Sequence, residues 1–216
     1  MRACRRRFDP DVPSVFPRGI AGAVAARACL RLSPGRRIVP PPRGRSPPFP
    51  RTTRHPSLMR LSAVLPESAI VVGLDGMDKW GVIERLTDLL VASKQAQPAW
   101  RDPILKGLTE REKQSSTGMQ DGFAIPHSRM DEPIQSTLVS LAILARGMDF
   151  DAIDGQPTRT LVCLVTPRKQ SREHLRVLAG IAQLFARAEF RSALLEAKTP
   201  AEVLAVIRAE EEQIPA

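Results

Sequence analysis

Near the middle of the chain stands the stretch Gly122-Phe123-Ala124-Ile125-Pro126-His127. Its three apolar residues predict a short buried strand, because Gly122 and Pro126 bound them and a proline, which lacks an N–H group, cannot continue a central ladder. His127 is therefore expected at the carboxyl end of a strand, where open α/β sheets gather their functional sites. A neutral imidazole keeps one lone pair for attack on an electrophile, so His127 is a candidate nucleophile.

Helices are predicted at four places in the rest of the chain. The first follows Asp78, which can cap it, and the second opens with Asp102-Pro103, an N-cap followed by a proline at the first helical position. The third begins near Ser171. The last opens with the capping box Thr199-Pro200-Ala201-Glu202, and its acidic end, Glu210-Glu211-Glu212, is expected to fray.

Predicted strands alternate with these helices. The best early candidate is Ala69-Ile70-Val71-Val72, and a second apolar run covers 136–144. The run 160–165 is almost continuously apolar and ends before Pro167, as a central strand would. Turn-forming residues fill the segment 149–157 between the last two runs. Because helices and strands are interspersed, the predicted fold is a three-layer α/β/α sandwich with a mixed β-sheet.

Composition divides the chain into two parts. Residues 1–58 hold 13 Arg, 11 of the 20 Pro and two acidic residues, a net charge of +11. Their apolar residues follow no period, so we expect a disordered tail. Residues 59–216 hold 19 basic and 21 acidic residues, a net charge of −2, and are expected to form one domain. An organellar transit peptide is one interpretation of the tail; we prefer the hypothesis that Met59 is the natural start and that the tail is translated upstream sequence.

The composition of residues 59–216 argues against several classes of function. This part is slightly acidic, lacks Tyr and does not interleave aromatic with basic residues, so no nucleic-acid partner is expected. No apolar run approaches the roughly 20 residues that span a bilayer, so we expect no membrane insertion. Cys4, Cys29 and Cys163 show no metal-ligand spacing, and Cys163 is expected as a small buried side chain in a reducing compartment. We expect a soluble, cytoplasmic protein without a metal or cofactor.

A second histidine suggests what His127 does. His174 falls in the first turn of the predicted Ser171 helix, on the same apolar stripe as Leu175 and Leu178, so it is expected to face the sheet. A helix start favours a bound phosphate and disfavours an extra proton on the ring. These features suit phosphoryl transfer, in which His127 takes the group and His174 hydrogen-bonds it.

Arg111 is expected to offer its guanidinium fork to the phosphoryl oxygens. The hydroxyls of Ser116 and Thr117 fit either cap and turn roles or contact with the same group. The spacing also fits two histidines that only satisfy local hydrogen bonds, and from spacing alone this structural interpretation is favoured over phosphoryl transfer. Two histidines without further ligands do not define a zinc site, and the chain has no GxxxxGK[ST] phosphate loop for nucleotide hydrolysis.

Four sequence blocks, in this order, closely resemble the enzyme IIA domain of the bacterial phosphotransferase system, in its fructose/mannitol/nitrogen-regulatory branch. The resemblance covers the chain from about residue 61 to residue 207. The blocks are Arg111-Glu112-Lys113 with Ser116-Thr117-Gly118, Ala124-Ile125-Pro126-His127, Phe150-Asp151-Ala152-Ile153-Asp154-Gly155-Gln156-Pro157, and His174-Leu175.

The resemblance implies roles for the residues already singled out. It makes His127 the acceptor of a phosphoryl group from the histidine phosphocarrier protein HPr or its nitrogen-branch counterpart. His174 and Arg111 match positions that flank the phosphohistidine, and Ser116 and Thr117 match the loop beside it. The implied fold is an α/β/α sandwich on a mixed sheet, in agreement with the fold predicted from the residue pattern.

The chain departs from the family pattern at three positions around the nucleophile. Gln120 stands where a small residue is usual, Phe123 where an aliphatic one is common, and Ser128 where Gly or another small residue is usual. These departures bear on the choice of partner and the rate of transfer. They are also the support for an alternative hypothesis, a binding module that keeps the fold and works without phosphorylation.

Within the resemblance, two uses of a phosphocarrier compete. A transport subunit would pass the group to an enzyme IIB domain and on to fructose or mannitol, whereas a nitrogen-type regulator would bind or release target proteins according to its phosphorylation state. We prefer the regulator, because Arg111-Glu112-Lys113 and the 150–157 block look nearest to that branch and no IIB or membrane domain is attached. Either use makes the chain a phosphohistidine carrier, a phosphotransferase component and not a stand-alone turnover enzyme.

Overall fold

The strands of a mixed sheet form the centre of the structure, a computed structural model that describes residues 60–131 and 133–214. The predictions about residues 1–58 and Met59 lie outside these residues. The strands in the described part are β1 (Ile70–Leu74), β2 (Phe123–Ala124), β3 (His127–Met130), β4 (Leu138–Met148) and β5 (Thr158–Pro167).

The sheet has β4 and β5 at its centre, and its spatial order is β1-β4-β5, with both β2 and β3 paired to β5. The long central pair β4 and β5 is antiparallel. The pairs of β1 with β4, β2 with β5 and β3 with β5 are parallel. The predicted mixed sheet and the central position of the run ending at Pro167 are therefore both confirmed.

The chain does not leave the sheet at Pro126. Ala124 lies opposite Leu161 and His127 opposite Leu164, so β2 and β3 share one register along β5. Pro126 has no N–H to donate, but its carbonyl still accepts a hydrogen bond from the amide of Leu164 at 2.9 Å. A sheet edge tolerates the loss of one donor. The predicted short strand is present as β2, but the expectation that the chain leaves the sheet at His127 was wrong, since His127 begins β3, the second half of an interrupted edge strand.

The helices pack on both faces of the sheet. Alternate residues of β5 point to opposite faces: Leu161 and Cys163 pack with the first two helices, and Val162 and Leu164 pack with the other three. These helices are α1 (Lys79–Ala92), α2 (Arg101–Gln114), α3 (Ser171–Phe185), α4 (Ala188–Glu196) and α5 (Pro200–Gln213). The three-layer sandwich is thus confirmed, although the sequence analysis had not predicted α4. No helix among the described residues is long and apolar enough to cross a membrane.

The helix predicted near Ser171 begins at that residue, and of the three predicted N-caps two hold and one fails. The carboxylate of Asp78 accepts a hydrogen bond from the amide of Gly81 at 2.8 Å, and the hydroxyl of Thr199 accepts one from the amide of Glu202 at 3.2 Å. Asp102 is not an N-cap. A 3₁₀ turn at Pro98–Trp100 runs directly into α2, so the backbone is already helical before Asp102, whereas an N-cap needs extended backbone.

The acidic end of α5 does not fray as expected. Glu210 forms an ion pair with Arg187 at 2.7 Å, and Glu211 accepts a hydrogen bond from the amide of Ser62 at 3.2 Å. Both glutamates are largely buried. Arg187 and Ser62 therefore stabilise the last turn of α5, which the repulsion between its glutamates alone would cause to fray.

Candidate functional site

His127 is held by a hydrogen bond to the backbone just before it. Its Nδ1 lies 2.8 Å from the carbonyl oxygen of Ile125. A carbonyl only accepts, so Nδ1 must carry the hydrogen and donate it. In the neutral ring the lone pair therefore resides on Nε2. His127 is half-buried and lines an open cleft, so the geometry defines one nucleophilic nitrogen.

His174 lies against His127 from the first turn of α3. The two ring centroids are 5.5 Å apart. His174 is buried, and its Nδ1 lies 2.8 Å from the hydroxyl of Thr166, which both donates and accepts and so holds the ring in either tautomer. The expectation that His174 faces the sheet is confirmed. Leu175 was wrongly placed on the same stripe, since it is 66% exposed and lies about 100° further round the helix.

Both imidazoles are kept neutral by their surroundings. Burial lowers the pKa of His174 to about 4, and the nearby charges of His127, Arg129 and Arg111 act in the same direction. Burial also lowers the pKa of His127; the Ile125 carbonyl opposes this shift, Arg111 adds to it, and the charge of Glu112 opposes it. At pH 7 each ring is therefore uncharged and His127 retains its nucleophilic lone pair.

Two guanidinium groups flank the histidines. Arg111, in the last turn of α2, donates from Nη1 to the carbonyl of Ser115 at 2.9 Å and lines the cleft. Arg129 was not predicted. It stands two residues after His127 on β3, hence on the same face of the strand, and its Nη1 lies 3.4 Å from the hydroxyl of Ser171. The i, i+2 spacing from a candidate nucleophile was the signal available in the sequence.

The two histidines and the two arginines line an open cleft of about 840 Å³. It lies between α2, β3 and the start of α3, and its rim is rich in charged side chains. Arg168 on this rim is paired with Asp131 at 3.1 Å. Within residues 60–131 and 133–214, no cluster of three His, Cys, Asp or Glu side chains is placed to hold a metal ion.

The side chains of Ser116 and Thr117 form hydrogen bonds with groups outside the cleft. The hydroxyl of Thr117 donates to a carboxylate oxygen of Glu112 at 2.5 Å, and its amide donates to the other at 3.0 Å. The hydroxyl of Ser116 donates to the carbonyl of Phe150 at 2.6 Å. Neither residue is among those that line the cleft, so the structure does not bring their hydroxyls together with His127, His174 and Arg111.

Glu112 is a buried charged residue that was not predicted as a site residue. It is 3% exposed and forms an ion pair with Lys79 at 2.7 Å. Lys79 also pairs with Asp151 at 2.9 Å. Burial disfavours the charge of Lys79, but its hydrogen bonds to Glu112 and Asp151 outweigh burial, and the pKa of Lys79 is raised.

The three residues that depart from the family pattern have different surroundings. Gln120 is exposed. Phe123 is buried and stacks on Phe185 with ring centroids 4.5 Å apart. Ser128 is buried against α2, where a Cβ on Gly107 would lie 3.0 Å from its hydroxyl.

Comparison with known families gives one match that spans most of the described residues. Residues 63–210 match the family described as "Phosphoenolpyruvate-dependent sugar phosphotransferase system, EIIA 2". The chain is 34% identical over 142 residues to the nitrogen regulatory protein of Pseudomonas aeruginosa, which covers 66% of this chain and 90% of that protein. It is 33% identical over 139 residues to the fructose-specific EIIA component of Haloferax volcanii, covering 64% and 88%.

A solved structure shares the fold. The crystal structure of the nitrogen regulatory protein IIA-Ntr from Neisseria meningitidis superposes with a TM-score of 0.62 at 29% sequence identity. The superposition covers 68% of this chain and 97% of the other. The α/β architecture described above is therefore that of enzyme IIA proteins.

Proposed function

The chain belongs to the EIIA type 2 family of the phosphoenolpyruvate-dependent sugar phosphotransferase system, and we propose that it is a phosphocarrier whose acceptor is Nε2 of His127. The observation that carries this proposal is the 2.8 Å hydrogen bond from Nδ1 of His127 to the carbonyl of Ile125. It fixes the tautomer, and it leaves the other nitrogen free for attack.

The transfer itself is a displacement at phosphorus. The Nε2 lone pair of His127 attacks the phosphorus of the donor's phosphohistidine, a new N–P bond forms, and the old N–P bond breaks with its electron pair returning to the donor ring. Since Nδ1 keeps its hydrogen, the phosphorylated ring of His127 becomes positively charged, and the Ile125 carbonyl stabilises that charge. The same charge makes the ring a good leaving group for the next transfer.

His174 and Arg111 are proposed to act on the phosphoryl oxygens. Phosphoryl transfer depends mainly on alignment and on neutralising negative charge. Arg111 supplies a fixed positive charge beside the ring. His174, whose Nδ1 is occupied by Thr166, has Nε2 left for a hydrogen bond. The hydroxyls of Ser116 and Thr117 are proposed to contribute only indirectly, because both are engaged elsewhere.

The donor is proposed to be HPr or its nitrogen-branch counterpart, in the cytoplasm, as the sequence resemblance implies. For the use of the phosphoryl group we propose a nitrogen-type regulator. The 29% identity to an IIA-Ntr structure supports this choice, whereas the relatives of the nitrogen and fructose types are equally close at 34% and 33% identity. The alternative use is transfer to an enzyme IIB domain for fructose or mannitol.

A phosphorylation assay tests the carrier proposal. The protein is incubated with phosphoenolpyruvate, enzyme I and, in parallel samples, HPr or its nitrogen-branch counterpart, and acid-labile phosphate is measured together with the intact mass. We expect one phosphoryl group on the wild type, none on His127→Ala, and slower labelling of His174→Ala. An unlabelled wild type with either phosphocarrier would support the non-phosphorylated binding module, and label persisting in His127→Ala would show that the acceptor is another residue.

A further inference from the structure

We propose that Glu112, paired with Lys79, is a positioning residue of this site: its buried carboxylate holds Thr117, which in turn holds the backbone of Ile125, whose carbonyl orients the ring of His127. The inference rests on the proposed function for its effect on phosphoryl transfer. It stands on the geometry of the pair and its neighbours, which join Glu112 to the ring of His127 through an unbroken series of hydrogen bonds.

The series runs through two residues. The carboxylate of Glu112 accepts hydrogen bonds from the amide and hydroxyl of Thr117. The carbonyl of Thr117 accepts one from the amide of Ile125 at 3.1 Å. The carbonyl of Ile125 accepts the hydrogen on Nδ1 of His127 at 2.8 Å. A displacement of Thr117 would therefore move the carbonyl that sets the tautomer and orientation of His127.

The loop that contains Thr117 pairs with β2 as well. The amide of Met119 donates to the carbonyl of Phe123 at 2.8 Å, and Gly118 forms an antiparallel bridge to Ala124. These bonds cover the outer edge of the strand on the side away from β5. Glu112 thus anchors the segment that supports the nucleophile's strand from outside the sheet.

Lys79 allows the carboxylate of Glu112 to lie near a phosphoryl group on His127. An unpaired carboxylate beside the cleft would repel the negative charge brought by phosphorylation of His127. The Lys79 ammonium, 2.7 Å from Glu112, neutralises that carboxylate from the side of α1. Lys79 also bonds Asp151 and lies 3.4 Å from the carbonyl of Phe150, which ties the 150–157 block to the same pair.

The 150–157 block and the 116–118 loop therefore share one role, although the sequence analysis had singled them out separately. Ser116 donates to the carbonyl of Phe150, and the amide of Asp121 donates to the carboxylate of Asp154 at 2.8 Å. Both blocks buttress the segment that leads into β2. The hydroxyl of Ser116 and the carboxylate of Asp154 thus each bond to a backbone group of the other block.

Two variants and a matched control test the proposal. Glu112→Gln removes the charge and replaces one of the two acceptor oxygens that Thr117 contacts with an NH₂ donor. Lys79→Met/Glu112→Gln removes the pair together, so no unpaired buried charge remains. Glu210→Gln, in the pair with Arg187 on the other face of the protein, is the control. The measurements are the pKa of His127 by NMR without any phosphoryl donor, the labelling rate with phospho-HPr, and the melting temperature.

We expect Glu112→Gln to lower the pKa of His127 further and to slow labelling at least about tenfold, since small misplacements of a reacting group are costly. The double variant should regain melting temperature but not the labelling rate. Glu210→Gln should change neither the pKa nor the rate. Recovery of both rate and stability in the double variant would overturn the proposal, as would an unchanged labelling rate in Glu112→Gln.

Failure of the proposed function gives a different pattern of results. In that case the wild type would not be labelled at all, whereas the pKa of His127 would still fall in Glu112→Gln and not in Glu210→Gln. If the pKa and the position of the His127 ring resonances are the same in wild type and Glu112→Gln, the positioning role is refuted whatever the wild type does with phospho-HPr.

Discussion

The rings of His127 and His174 lie with their centroids 5.5 Å apart, one on the edge strand β3 and the other on the first turn of α3. A proton on His127 disfavours a proton on His174 at this distance, which helps to lower the pKa of His174. Burial acts in the same direction on both. Both rings are therefore neutral at pH 7 and add no positive charge of their own to the site that is proposed to take the negatively charged phosphoryl group.

The depressed pKa of His174 predicts a loss of stability in acid. In the unfolded chain His174 binds a proton below its ordinary pKa near 6.5, whereas in the folded protein it does so only near pH 4. Unfolding therefore takes up a proton in this window, and the free energy of unfolding falls as the pH drops from 6.5 to 4.

The variant His174→Gln isolates this contribution from that of the carboxylates. Urea unfolding at pH 4.5, 5.5, 6.5 and 7.5 should show a smaller loss in the variant, by roughly 1–3 kcal/mol at the lowest pH. Parallel curves for the two proteins across this range would contradict the shift.

Arg111→Gln should raise the pKa of His127 and slow its phosphorylation. The guanidinium lowers the pKa of both histidines, so its removal allows protonation at higher pH, and it also removes the charge-assisted contact that we propose for the phosphoryl group. A loss of about 1.5–3 kcal/mol corresponds to a roughly 10- to 100-fold slower transfer. NMR titration and labelling with phospho-HPr measure the two effects.

Arg168→Gln is the matched control for this charge. Arg168 lines the same cleft but is paired with Asp131, and it is not among the groups that act on the pKa of either histidine. Arg168→Gln should leave the pKa of His127 unchanged and should slow phosphoryl transfer less than Arg111→Gln does. Equal effects of the two variants would mean that any positive charge at the cleft rim suffices.

The sequence predicted the main parts of this site because their signals are local. A short apolar run bounded by a proline, a histidine in a helix's first turn and the spacing of four blocks were enough to single out His127, His174 and Arg111, which line one cleft in the structure. The fold followed from alternating helical and strand patterns for the same reason. Pro126 was misread because its effect depends on whether the strand is central or at an edge, and that is decided by other strands.

The buried pair of Lys79 and Glu112 could not be predicted from the sequence, for a different reason. Both residues belong to charged, helix-forming segments that look like solvated surface, and nothing in their spacing indicates that they meet. Their burial follows from how α1 and α2 pack on the sheet. The same holds for Glu210 and Glu211, whose partners come from distant parts of the chain.

Gly118→Ala should destabilise the protein through a close contact between two loops. A Cβ at this position would lie 2.8 Å from Cα of Ala152 and 2.9 Å from the carbonyl oxygen of Phe150. Both are backbone atoms that cannot rotate away, so the loops must separate, at a cost of roughly 1–3 kcal/mol. Chemical denaturation measures the loss. An unchanged free energy of unfolding would show that the two loops are not held together as described.

Phe123→Leu tests whether an aromatic residue near the nucleophile matters for transfer. Phe123 stacks on Phe185 at 4.5 Å, and Phe185 in turn contacts Phe190 edge-on at 5.3 Å. Replacing Phe123 by leucine removes one aromatic pair and leaves a small void, so we expect a loss of about 1–2 kcal/mol in stability.

The labelling rate of Phe123→Leu should nevertheless stay within about twofold of the wild type under conditions where both proteins are folded. The hydrogen bonds that orient His127 come from the backbone of Ile125 and Thr117 and not from the Phe123 ring. Phe190→Leu, which disturbs the same aromatic cluster from α4, is the control for stability. A tenfold slower transfer in Phe123→Leu, without the same loss in Phe190→Leu, would mean that the aromatic ring itself positions the nucleophile.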